Sequence, residues 1–253
     1  MDRAAIKKSR QFLKGTIRKQ VDFSETDQST GIPVPPVEKP YAADAKRITL
    51  PKPDTWKTIP GADVRAAIAN RSSRRTYRKE VLGLEEVAFL LWATQGVRGK
   101  VTGGHTYRTV PSAGCRHALE TYVAALAIEG LEPAIYRYLP LSHELLFEFS
   151  EADLGERLVE ATLGQTFVGK AAATFIWAVV PYRMEWRYGL AAHKVIAIDA
   201  GHVCQNLYLA CEAIGAGTCA IGAYDQEVLD HLLRLDGEDE FAVYLAPVGK
   251  VTT

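Results

Sequence analysis

Three segments carry residue types that could do chemistry. The clearest basic cluster is Asn70 to Tyr77, with Arg71, Arg74 and Arg75 interleaved with Ser72, Ser73 and Thr76. Guanidinium forks and hydroxyls at that spacing can grip a phosphate, although a solvated basic turn would look the same. Pro111, Ser112, Ala113 and Gly114 form the second segment. Small residues with free backbone donors let a planar ligand approach closely, and they also make ordinary turns. No Gly-x-Ser-x-Gly surrounds Ser112, so it is not a nucleophile elbow. The third runs from Gly215 to Ala223 and is rich in glycine. Its glycines follow an expected helix and precede an expected strand, the wrong order for a pyrophosphate cradle, and Gly215 reads as a helix C-cap. His117 and His202 have the titration range of acid–base groups, but a lone histidine is more often structural.

Other chemistries find little support. Cys115, Cys204, Cys211 and Cys219 show no Cys-x-x-Cys spacing and no zinc-like interval to paired histidines. They read as reduced, mostly buried thiols of a cytoplasmic protein. The 30 basic and 30 acidic residues cancel, which speaks against a nucleic-acid footprint. The basic stretch from Arg3 to Lys19 reads as a solvated amphipathic arm. The longest apolar run, Ala171 to Pro181, is too short to span a bilayer.

The elements that must position these segments follow from periodicity. Residues 1–60 read as an N-terminal arm and a Pro-rich strap, because proline fixes φ and removes backbone donors. Residues 61–253 read as the folded domain. Helices are expected over Asp63–Asn70, with Val64, Ala67 and Ile68 inward, and over Leu84–Gln95, Glu151–Thr162, His193–Ile214 and Glu227–Leu235. Strands are expected over Thr121–Ile128, Ala134–Tyr138, Leu145–Phe149, Ala172–Val180, Thr218–Gly222 and Phe241–Val248. Helices and a hairpin mix without βαβ alternation, so the expected class is α+β. The segment His193–Ile214 is apolar nearly all round, which suggests burial in a dimer interface.

Taken together, the three segments resemble the nitroreductase superfamily, specifically its SagB/ThcOx-type branch of flavin-dependent dehydrogenases. The resemblance covers roughly Asp63 to Lys250. The opening motif, Arg-Arg-Ser-x-Arg-x-aromatic, stands here as Arg71 to Tyr77, with Ser72 replacing its second arginine. The branch's Pro-Ser-x-Gly segment is Pro111 to Gly114, running on to Glu120. Its long-helix motif is Asp199 to Leu207, followed by Gly215 to Tyr224, and its closing motif is Ala246 to Lys250.

The resemblance implies an α/β/α sandwich with a mixed, largely antiparallel sheet, and a homodimer with FMN at the interface. It implies that Arg71, Ser72 and Ser73 hold the phosphate and ribityl end, and that Arg75 reaches the pyrimidine edge. Pro111, Ser112, Ala113 and Gly114 would lie against flavin bound mainly by the other subunit. Ile221, Gly222 and Ala223 would bring a backbone N–H near flavin N5. Lys250 stands in for the basic phosphate ligands that classical members place in a C-terminal tail. NAD(P)H is the implied electron donor, with nitro compounds, quinones or similar acceptors reduced in ping-pong fashion. A SagB-type dehydrogenase of a peptide or small molecule, or a non-enzymatic flavin-binding protein, are the alternatives. Some heterocycle-oxidising members carry a Lys-Tyr pair before the long helix; here it is Arg187-Tyr188. Tyr188 and His117 are the candidate catalytic side chains. Arg116 and His117, following the loop, are expected to form a substrate mouth, with Arg116 attracting an anionic acceptor or the NADPH phosphate.

Overall fold

A computed structural model describes residues 2–99 and 104–252. The sheet has seven strands in the order β1-β4-β3-β2-β5-β7-β6. These are β1 (Arg47–Thr49), β2 (Leu119–Ala125), β3 (Ala134–Leu139), β4 (Glu144–Phe149), β5 (Ala173–Val179), β6 (Ala216–Thr218) and β7 (Phe241–Lys250). Every ladder between neighbours is antiparallel. Parallel pairing enters only as isolated bridges, Ser73 with Thr218 and Leu82 with Ile128, among the described residues.

The helices are α1 (Arg3–Ser9), α2 (Val64–Asn70), α3 (Leu84–Gln95), α4 (Leu154–Ala161), α5 (Tyr182–Tyr188), α6 (Ala192–Ala213) and α7 (Gln226–Leu233). They cover both faces of the sheet, which explains why β5 is apolar at every position but the buried Thr174. Its Phe175 and Trp177 join a core with Leu90, Leu91, Val203 and Leu207 of α3 and α6. Its Ile176 and Ala178 point the other way, to Leu158, Leu229 and Leu232 of α4 and α7. Strand side chains alternate faces, so a strand between two helical layers must be apolar at every position. The expected sandwich is the one found.

Local departures have local causes. Val64 and Ile68 are 63% and 60% exposed, because α2 rests on α6 through Ala67 alone among its buried residues. The expected strand at Thr218–Gly222 is moved: Gly215, at φ +62°, ends α6, and the chain pairs at once with the end of β7. Beyond Thr218 only Ile221 still bridges, to Leu245. Helix α5 had no clear period in the sequence, yet Arg183, Met184 and Trp186 are buried.

The N-terminal segment is tied to its own chain. β1 joins the sheet beside β4. The Pro-rich stretch between Ile32 and Pro40 supplies carbonyls with no ladder partner, and buried arginines meet them. Arg108 donates to Val37 O at 2.8 Å, Arg116 to Pro35 O at 3.3 Å, and Arg137 to Lys39 O at 2.9 Å and Pro40 O at 3.3 Å. Buried Glu120 pairs with Arg183 and Arg137 and accepts from Lys39 N–H. Burial alone would raise the Glu120 carboxyl, but those two guanidiniums outweigh it and hold the carboxyl below its usual range.

Candidate functional site

Segment 71–78 lies over the end of the sheet because two glycines let it. Gly217 and Gly249 face each other across the β6–β7 ladder. A methyl group at Gly217 would fall 2.5 Å from Arg74 Cγ, and one at Gly249 would fall 2.8 Å from Tyr77 Cγ. The missing side chains make a trough, and backbone bonds fasten the segment in it. Arg74 N–H donates to Thr218 O and Arg78 N–H to Lys250 O, each at 2.9 Å. Tyr77 closes the far side, its hydroxyl donating to Arg74 O at 3.0 Å and Pro247 O at 3.2 Å.

Tyr208 of α6 links this segment to the glycine-rich loop. Its hydroxyl accepts from Ala220 N–H at 2.8 Å and lies 3.0 Å from Ser73 Oγ. The Arg71 guanidinium sits 5.2 Å from the centre of the Tyr208 ring, and Arg75 sits 6.0 Å from that of Phe167. The bridge at Ile221 turns Gly222 and Ala223 outward, and Gln165 Nε2 holds Ala223 O at 2.9 Å. A Cβ on Gly222 would meet nothing within 4 Å. That backbone forms the rim of an apolar groove of about 490 Å³, walled by Ile196 and Ala200 of α6 and Phe241, Val243 and Tyr244 of β7. Arg71, Ser73 and the Ile221–Ala223 backbone are thus brought together; Ser72 is exposed beside them.

The loop Pro111–Gly114 stands elsewhere. It packs against α6 through Asp199, whereas the groove lies against Ile196 and Ala200, which point about 60° and about 100° away from Asp199 round the helix. Burial raises the Asp199 carboxyl, partly offset by the Ser112 hydroxyl and Ala113 N–H. Positive φ at Gly114 (+61°), Cys115 (+54°) and His117 (+47°) curls the loop tightly, and Ser112 Oγ accepts from His117 N–H at 3.0 Å. A Cβ at Gly114 would lie 2.7 Å from the Tyr188 hydroxyl and 2.9 Å from Arg187 Cδ, so a side chain there would push both aside. Between groove and loop, α6 exposes Ile198, Gly201, His202 and Gln205.

Three expected site residues are committed to structure. Arg116 is fully buried; it donates to Arg183 O at 3.0 Å and Gly104 O at 2.8 Å as well as to Pro35 O, with Trp186 4.9 Å beneath. Carbonyls of the strap and its neighbours take its forks, so it forms no mouth. His117 is 4% exposed, and its Nε2 lies 2.9 Å from Thr106 O, which places the proton on Nε2. Burial first, then Arg108, pushes its pKa down to about 3, so it is neutral near pH 7 and donates no proton. Lys250 Nζ pairs with Glu86 and donates to Ile214 O at 2.8 Å, which pins β7 to α3 and the end of α6. Tyr208 and Asp199 were not assigned roles from sequence. A lone hydroxyl in an otherwise apolar helix end was the available signal for Tyr208, and an acid within an apolar helix was the signal for Asp199.

The Arg71 cluster fits a flavin mononucleotide. Neither Arg71 nor Arg75 has a carboxylate partner among the described residues. Arg74 Nε is buried with no hydrogen-bond partner. Unneutralised guanidiniums beside an exposed Ser73 and an open Gly222 backbone suit one terminal phosphate and a flat ring.

The sequence profile of the nitroreductase family matches residues 68–250, and the chain belongs to that family. A Methanocaldococcus jannaschii protein described as a nitroreductase is 32% identical over 183 residues, covering 72% of this chain and 88% of that protein. The trifolitoxin-processing protein TfxB of Rhizobium leguminosarum is 26% identical over 240 residues and covers 89% of this chain. This chain spans 62% of TfxB, under two thirds of its length; the match sides with the SagB/ThcOx-type branch. Among solved structures, a nitroreductase-like protein of Ralstonia eutropha superposes with a TM-score of 0.68 at 26% identity, covering 87% of this chain and 99% of that one. A chain of the E. coli microcin synthetase McbBCD complex, solved with truncated pro-MccB17 bound, shares the fold: TM-score 0.60, 19% identity, coverage 81% and 78%.

Proposed function

We propose that this chain is an FMN-dependent oxidoreductase, active as a homodimer, that takes hydride from NAD(P)H and reduces nitro compounds, quinones or similar acceptors. The observation that carries the reading is that Arg71 and Arg75 have no carboxylate partner among the described residues, while Tyr208 ties Ser73 to Ala220 in the loop that carries the open Gly222 backbone. Bound FMN would supply hydride acceptance and donation at N5. Arg71 and Ser73 would bind its phosphate and ribityl end, with Tyr208 holding the Ser73 hydroxyl in place. Arg75 would sit at the pyrimidine edge, where a fixed cation favours negative charge. The backbone at Gly222 and Ala223, steadied by Gln165, would orient the ring. The apolar wall of the groove would exclude water.

The second half of the site would come from a partner copy. Within one protomer, Pro111–Gly114 lies on the far flank of α6 from Gly222. The exposed stripe with Ile198 and His202 lies between them. A two-fold axis on that stripe would bring the loop of one copy to the groove of the other.

A dehydrogenase acting on a peptide or small molecule is the second reading. The match to the trifolitoxin-processing protein favours it, since that match reaches into the N-terminal segment. The deciding measurement is the visible spectrum of purified protein, followed by anaerobic titration with NADPH. Stoichiometric bleaching of one FMN per subunit is expected. FAD on acid release, or no flavin after reconstitution, sinks both readings. Bound flavin that NADPH leaves oxidised favours the second.

A further inference from the structure

A second, polar cavity of about 400 Å³ lies between the N-terminal segment and the end of α5. Arg18, Phe23, Gln28, Ser29, Arg187 and Tyr188 line it. No acidic side chain is among the lining residues, and neither Arg18 nor Arg187 has a carboxylate partner among the described residues. Of the acids in the same segment, Asp22 accepts from Ser24 and Asp27 accepts from Tyr182 at 2.7 Å, while Glu25 is exposed and does not line the cavity.

Both guanidiniums are held in position. Arg18 stacks 4.8 Å from the centre of the Phe23 ring. Arg187 stacks 5.6 Å from that of Tyr188 and gives one N–H to Gln28 Oε1 at 3.0 Å. Stacking fixes the plane of the fork and leaves donors in that plane free for an oxyanion. Arg187 lies close enough to Arg116 to add to the burial and the Arg183 charge that disfavour the Arg116 cation, and no carboxylate pairs with Arg116 or Arg187 among the described residues. The cavity also adjoins the loop expected at the reaction site, because Arg187 and Tyr188 both lie against Gly114.

We propose that this cavity binds the anionic end, a carboxylate or a phosphate, of the small molecule that meets the Pro111–Gly114 loop. The role foreseen for Arg116 thus passes to Arg187 and Arg18, whose forks are not consumed by backbone carbonyls. An arginine here is a permanent cation and not a titrating base, so the site recognises charge and moves no proton. The proposal deepens the oxidoreductase reading, and rests on it for the placement of the loop.

Calorimetric titration of the flavin-loaded protein tests it with two matched pairs, 2′,5′-ADP against adenosine and benzoate against benzamide. At least one anion should bind more tightly than its neutral partner. Replacing both arginines (Arg18→Ala with Arg187→Ala) should weaken that anion about 10- to 100-fold and leave the neutral partner's affinity alone. Arg187→Lys keeps the charge without the fork and should fall between, which also serves if the double variant does not fold. Preference for 2′,5′-ADP assigns the phosphate of NADPH; preference for benzoate assigns a carboxylated substrate. The proposal is overturned if neither anion outbinds its partner, or if folded variants bind the anion as the parent does. These titrations read binding and not turnover. A protein that binds the anion yet shows no NADPH bleaching removes NAD(P)H as the donor and leaves the cavity's role standing.

Discussion

Arg71 and His117 are both cationic residue types beside the site, and their surroundings give them opposite fates. Arg71 is half-buried, stacked on Tyr208 and without a carboxylate. A charge-assisted bond to phosphate contributes about 1.5–3 kcal/mol, so Arg71→Ala should weaken FMN roughly 10- to 100-fold. Fluorescence titration of flavin into the apoprotein checks this; a change under about twofold would remove the phosphate role. His117 is held neutral down to about pH 3 in the fold. Unfolded, it takes a proton near pH 6.5. The unfolded chain therefore binds more protons between those values, and stability is lost as pH falls below about 6.5, by up to ~1.4 kcal/mol per unit. Urea midpoints at pH 7, 6 and 5 should drop less steeply in His117→Asn than in the parent. Parallel slopes would mean that His117 protonates freely in the folded state.

At the scale of elements, the site depends on β6 and β7 leaving room for segment 71–78. Gly249→Ala would drive a methyl into the Tyr77 ring, whose hydroxyl is tethered at both Arg74 and Pro247. Overpacking of that kind costs about 1–3 kcal/mol. We expect a lower urea midpoint together with weaker flavin binding, because the segment that shifts carries Arg71, Ser73 and Arg75. Loss of stability with unchanged flavin affinity would show that the segment's position and the site are independent. The strap obeys a related rule. Prolines cannot donate, so the sheet does not recruit the strap, and buried Arg108, Arg116 and Arg137 satisfy its carbonyls at Val37, Pro35 and Lys39 instead. That is why Arg116, which follows the loop in sequence, turns inward.

For the whole molecule, the exposed stripe of α6 is the consequential surface. Ile198 is 47% exposed, on the side of α6 away from the residues it buries in the core. We expect Ile198→Glu to convert a dimer into a monomer in light scattering and to release flavin with it, since Pro111–Gly114 and Gly222 lie on separate flanks of one copy. A variant that stays dimeric with flavin bound would place the two-fold axis elsewhere. Among the described residues no helix is long and apolar enough to cross a membrane, and the four cysteines are free thiols.

What could be read from the sequence was whatever repeats locally. Helix α3 was legible residue for residue because Val87, Leu90 and Leu91 follow helical spacing and Gly96 stops it. Strand β5 was legible from a run that is apolar but for Thr174, and the family motifs single out Arg71, Ser73 and Gly222 as candidates. Only the tertiary structure decided the partners of the long polar side chains. Arg116, His117, Lys250 and Arg187 look alike as site candidates in one dimension. In three, the strap consumes the first, Thr106 the second and Glu86 the third, while the fourth faces a cavity without acids. A guanidinium or ammonium reaches several ångströms from its backbone. Which acceptor it meets therefore depends on distant segments, 164 residues away for Lys250 and Glu86 and 201 for Lys39 and Glu240, and no local periodicity encodes that meeting.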